Sequence, residues 1–138
     1  MLGHNLSKDT IRLYGLDRIE SVEITNQEYK LPKDFSAAEY FSNYFGIVTD
    51  DRVKPERIVL RANKDHTPYL KSLPLHHSQE LIEDNGEYAD FSLYLAPTYD
   101  FIMKLLHVGG MVEVISPASL RKTMKGWISD MYDLYKKD

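Results

Sequence analysis

Cysteine is absent from this chain of 138 residues, and its absence excludes disulfides, thiol catalysis and thiolate metal sites together. Such a composition suits a reducing compartment. Long apolar runs are missing as well: the stretch around Leu93 to Ala96 falls far short of the roughly 20 residues that a bilayer span needs. The opening Met1-Leu2-Gly3-His4-Asn5 has neither the basic start nor the apolar stretch of a secretory signal, so the expected location is the cytoplasm, with no membrane partner. Basic charge is scarce, with 17 Lys and Arg against 21 Asp and Glu and a net charge of -4. Phosphate backbones are bound by clustered Lys and Arg, so this piece is not expected to be the main contact with a nucleic acid. A Gly-rich phosphate loop, a Ser nucleophile elbow and a paired-His helix motif are all lacking, and no cofactor is expected.

What the chain does have is 43% hydrophobic and 28% charged residues, the balance of a soluble globular protein able to form a core. From Arg12 to Thr25 the apolar residues Leu13, Leu16, Ile19, Val22 and Ile24 give a loosely alternating pattern that predicts one or two strands. Nothing before them offers a pairing partner, so the chain reads as if it begins within a domain. A short helix is predicted next, with Ser36 as N-cap, Glu39 completing a capping box, Phe35 stapling onto Tyr40 and Gly46 at the end. Ala37, Tyr40, Phe41, Tyr44 and Phe45 would line one side. Val48 to Pro55 reads as a linker.

Beyond it the pattern gives a topology. Arg57 to Ala62 alternates as a strand. A short helix capped by Thr67 with Pro68 at its first position follows, then a strand over Leu75 to Ile82. Asn85-Gly86 would form a two-residue hairpin turn into a strand over Tyr88 to Leu95, with Phe91, Leu93 and Leu95 on one face and Tyr88, Ser92 and Tyr94 on the other. A helix from Thr98 to His107 stops at Gly109, and Met111 to Ile115 is the last strand. The fold class is therefore α+β, a ferredoxin-like βαββαβ unit with both helices on one face of an antiparallel sheet. It is preceded by the N-terminal strand segment and short helix. A final long helix, opened by Ser116 and Pro117, carries Leu120, Met124, Trp127, Ile128, Met131 and Tyr135 on one side.

Candidate sites are few. His76 and His77, adjacent on a predicted strand, would point to opposite faces and could not share a metal ion, so no metal site and no catalytic residue is expected. The carboxylates Asp50, Asp51, Glu80, Glu83 and Asp84 fall in the linker and at the hairpin tip, where solvent keeps them ordinary. Tyr88, Phe91 and Tyr94 bear comparison with the base-stacking aromatics of RNA-recognition modules, but Glu87 and Asp90 stand where those modules place basic residues, and Phe91 lies on the opposite pleat. Arg12, Tyr14 and Arg18 could hold an anionic ligand by charge-assisted hydrogen bonds and stacking. Spacing alone favours instead a surface pair of Arg18 with Asp17 beside a packing tyrosine.

The run Arg12-Leu13-Tyr14-Gly15-Leu16-Asp17-Arg18-Ile19 resembles the closing strand of the WYL domain of bacterial transcription regulators. Phe35 to Gly46, Leu75-His76-His77-Ser78-Gln79, and Val114-Ile115-Ser116-Pro117 with Leu120-Arg121 resemble the WCX extension that follows such domains. The Trp-Tyr-Leu signature itself is absent. The resemblance implies residues 1–34 as closing strands of a truncated WYL domain, 35–55 as helix and linker, and 56–138 as a WCX-like ferredoxin-fold domain. It implies a non-catalytic, ligand-sensing or dimerising part of a homodimeric regulator that meets DNA through a helix-turn-helix outside this chain. Its effector would be a nucleic acid or a small anion facing Arg12, Tyr14 and Arg18, and Tyr40, Phe41, Tyr44, Trp127 and Met131 would make dimer or interdomain contacts. A nucleic-acid-binding ferredoxin-like module and a small ferredoxin-fold enzyme are the alternatives.

Overall fold

The computed structural model describes residues 1–26, 28, 35–50 and 52–136. The chain divides into two compact units, Met1–Phe35 and Ser36–Asp138. In the first, β1 (Leu2–Asn5) and β2 (Thr10–Leu13) pair antiparallel with Leu2 opposite Leu13 and His4 opposite Ile11. The partner that the sequence did not reveal is thus the opening segment itself. The turn between them is built by Asn5, whose Oδ1 accepts the N–H groups of Ser7 and Lys8, and by Asp9 in the left-handed region at φ 48°. Asn and Asp are the residues that close such turns through their own side chains. The expected strands over Arg12 to Thr25 are cut short, because Leu16–Arg18 turns into a single 3-10 turn and no strand follows up to Thr25.

The second unit opens with α1 (Ala37–Phe41), capped as expected by the Ser36 hydroxyl, which accepts the Glu39 N–H at 3.2 Å. The helix ends well before Gly46. Asn43 and Tyr44 are drawn into backbone pairing with Ala96, the Ala96 N–H donating to the Asn43 carbonyl at 2.8 Å. A long-range pairing has overridden the apolar helical stripe.

Then come β3 (Glu56–Asn63), α2 (Thr67–Ser72), β4 (Glu80–Asp84), β5 (Tyr88–Leu95), α3 (Tyr99–Val108), β6 (Val112–Ser116) and α4 (Ala118–Tyr135). The sheet order is β4-β5-β3-β6, antiparallel throughout, which is the ferredoxin-like arrangement. Ile58, Leu60, Leu93, Leu95 and Val114 on one sheet face meet Phe101 and Leu105 of α3 and Leu120 and Met124 of α4. Leu70 of α2 closes a second cluster over Ala62, Ala89 and Phe91. The strict alternation of β3, buried at Ile58, Leu60 and Ala62 and half-buried between them, is what a sheet with one face packed on the core requires.

Several boundaries differ from expectation for identifiable reasons. β4 starts at Glu80 rather than Leu75, since Leu75 gives its N–H to the Gln79 side chain and the Gln79 amide donates to the Leu70 carbonyl. Side chains have replaced the ladder there. The hairpin centres on Gly86 and Glu87, with Gly86 at φ 85° and Asn85 outside the turn, pairing with Tyr88. His66, not Thr67, is the N-cap of α2, because the Thr67 hydroxyl donates to the Asn63 carbonyl at 2.9 Å. α4 has Pro117 as its N-cap and begins at Ala118, one residue later than the sequence suggested. α3 ends as predicted at Gly109, whose φ of 60° suits a residue without a side chain.

Candidate functional site

α4 leaves much of its apolar face open, and its placement follows from its first two turns. Leu120 and Met124 are buried against α3 and β6, while Arg121 reaches the edge of β6, donating to the Val114 carbonyl and pairing with Glu113 at 2.6 Å. An unpaired strand edge would otherwise expose its backbone groups. Beyond Met124 the helix outruns its support: Trp127 is 40% exposed, Ile128 55% and Met131 45%. The Tyr99 ring stands edge-on to the Trp127 ring, 6.3 Å away between centroids. Between α3, β6 and α4 lies a groove of about 700 Å³, its apolar wall including Leu105, Leu106, Val112, Ile128 and Met131. Arg121 and Lys125 also line it.

The profile of the WCX domain matches residues 54–132, which takes in the whole ferredoxin-like unit and most of α4. This chain belongs to the WCX family. The WCX domain is associated with the C-terminal part of WYL-family regulators. No curated protein matches the chain. The structured body of this WCX protein nevertheless begins before residue 54, since the unit that folds together starts at Ser36. Its Tyr40, Phe41 and Tyr44, expected as contact residues, form a small aromatic group. The Tyr40 ring stands edge-on to Phe41 at 5.3 Å and tilted to Tyr44 at 6.2 Å, and all three are half-buried. Phe45, given no contact role from the sequence, is the aromatic that joins the core, 5.7 Å from Phe101.

In the first unit, Arg12 and Tyr14 share the hairpin face that carries Gly3, with the Tyr14 ring lying over Gly3. Arg18 sits on the 3-10 turn with its guanidinium folded over Gly15. All three side chains are exposed.

The sheet face that the helices leave open carries a cluster that sequence reasoning missed. Arg61 makes a bidentate pair with Asp90 at 2.8 Å and 2.8 Å, while its guanidinium lies 3.8 Å from the centroid of the Tyr88 ring. The hydrogen bond to Arg61 holds the Asp90 carboxyl below its ordinary value against the opposing effect of burial. Outward positions on strands β3 and β5 could be read from alternation, but that Arg61 stands opposite Asp90 needed the register.

His76 and His77 depart from expectation. They lie in a turn, not a strand, and their ring centroids are 4.1 Å apart. His76 is buried with Nδ1 2.7 Å from the Ser78 hydroxyl, and His77 donates from Nε2 to the Ser42 carbonyl at 2.7 Å. Burial holds the His76 imidazole below its ordinary pKa, the neighbouring His77 acts in the same direction, and the Ser42 carbonyl opposes them. Among the described residues, no group of three or more metal-ligating side chains is found. Nor is any helix long and apolar enough to cross a membrane. Asp51, one of the carboxylates weighed above, lies outside the described residues.

Proposed function

We propose that this chain is the C-terminal regulatory portion of a cytoplasmic, DNA-binding transcription regulator of the WYL type, non-catalytic itself, and that it self-associates as a homodimer. The WCX match over residues 54–132 is the observation that carries this reading. The open end of α4 supports it: Trp127, Ile128 and Met131 present a connected apolar surface beside a groove, the form that contact surfaces take. DNA would be met by a helix-turn-helix domain outside this chain, and the effector would be a nucleic acid or small anion held by Arg12, Tyr14 and Arg18. Regulation would then be a population shift, in which a ligand that prefers one dimer arrangement biases the distant DNA-reading elements.

The alternative of an RNA-binding sheet is disfavoured by Arg61 and Tyr88. The cation is neutralised by Asp90 and the ring is covered by the guanidinium, so neither is offered to a base. The reading is tested by light scattering on the eluted protein. A dimer that Trp127→Glu with Met131→Glu converts to monomer is expected. A wild-type chain that stays monomeric at high concentration would remove the dimer, and no shift of mobility or melting with single-stranded oligonucleotides or anionic metabolites would remove the sensor.

A further inference from the structure

Residues 42–48 lie on the ferredoxin-like unit as a belt fastened at separate points. At its start the Ser42 carbonyl accepts from His77 Nε2 at 2.7 Å. Next the Asn43 carbonyl accepts the Ala96 N–H, and Tyr44 bridges to Ala96 beyond the last residue of β5. Phe45 then packs its ring on Phe101. At its end Asp100, in the first turn of α3, accepts the N–H groups of both Ile47 and Val48 at 2.9 Å with the same oxygen. A side chain at Gly46 would collide with that carboxylate where it stands, so glycine there lets the belt close on Asp100 without displacing it.

The fastening is mostly polar and, at its two ends, open to water. Ile47 is 69% exposed, and Phe45 is the member that packs against the buried core. Backbone bonds that water can replace, with little apolar area behind them, open at lower cost than a core strand does. The belt is also the covalent route by which everything before Ser42 reaches the WCX body.

We propose that residues 42–48 are a reversible strap, latched by His77 at one end and pinned by Asp100 at the other, which opens and recloses on the folded body. The proposal deepens the regulatory reading, since a strap of this kind would let the preceding segment sense or set the state of the WCX unit.

Amide hydrogen exchange on the full chain tests it without any ligand or partner, so its outcome is independent of whether the chain is a WYL regulator. The amides of Ile47, Val48 and Ala96 should exchange by an opening that depends little on added urea, while Leu60 and Ala62 exchange only by global unfolding. Asp100→Ala should speed exchange at Ile47 and Val48 by about tenfold, the factor expected from losing one or two such hydrogen bonds. His77→Ala should speed it at Ala96, with Leu60 unchanged. The idea is overturned if Ile47, Val48 and Ala96 show the same urea dependence as Leu60 in the wild-type chain, a measurement that stands even should a variant fail to fold.

Discussion

At the scale of single residues, two ionisable groups set expectations that can be signed. Asp90 is buried and held below its ordinary pKa by Arg61. Its contribution is therefore complete at neutral pH and is lost as pH falls from the unfolded carboxyl value of about 4 toward the lower folded one. Asp90→Asn should cost about 1.5 to 3 kcal/mol at pH near 7, the range for a hydrogen bond to a charged group. Urea unfolding measures it, and the gap from the wild type should narrow in acid. A loss below about 0.5 kcal/mol would mean that the pair is only a surface contact. His76 has the same sign for a different reason. Burial disfavours its charged form, so as pH falls below about 6.5 the unfolded chain gains a proton more readily than the folded chain. Stability should decline over that interval and level off once the folded ring titrates as well. In His76→Gln the decline between about pH 7 and pH 5 should be shallower; an unchanged slope would place the titration elsewhere.

At the scale of elements, α4 divides into a half that holds the fold and a half that is free to hold something else. Leu120 is 3% exposed and Trp127 40%. Leu120→Ala should therefore cost about 2 to 5 kcal/mol through the cavity it leaves. Trp127→Ala should cost under about 1 kcal/mol in the isolated protomer, as surface changes do. Thermal melts at low and high protein concentration separate the cases: a Trp127→Ala penalty that grows with concentration belongs to assembly. A large penalty at every concentration would show that Trp127 is part of the protomer's core.

At the scale of the molecule, the family match begins at residue 54 but the folded unit begins at Ser36. A fragment spanning 36–138 should melt within a few degrees of the full chain. A fragment that starts at 54 loses Phe45 from Phe101 and the pairing of Tyr44 with Ala96, and should melt lower by roughly 10 °C, as a loss of about 2 kcal/mol would give in a domain of this size. Circular dichroism reads both. Equal melting of the two fragments would show that residues 36–53 add nothing to the body.

Much of this was legible in the sequence because it rests on local periodicity. The alternation of Ile58, Leu60 and Ala62, the strand Tyr88–Leu95, the cap at Ser36 and the stop at Gly109 are each fixed by residues within one or two turns of one another, and together they determined the ferredoxin-like order. Tertiary structure alone decided the rest. Whether Tyr44 continues a helix or pairs with Ala96, whether the His76 and His77 rings diverge or come together, and whether Arg61 meets Asp90 all depend on partners far along the chain. A pattern of neighbours carries no register between distant segments; the packed core supplies it, because only one alignment buries every apolar face at once.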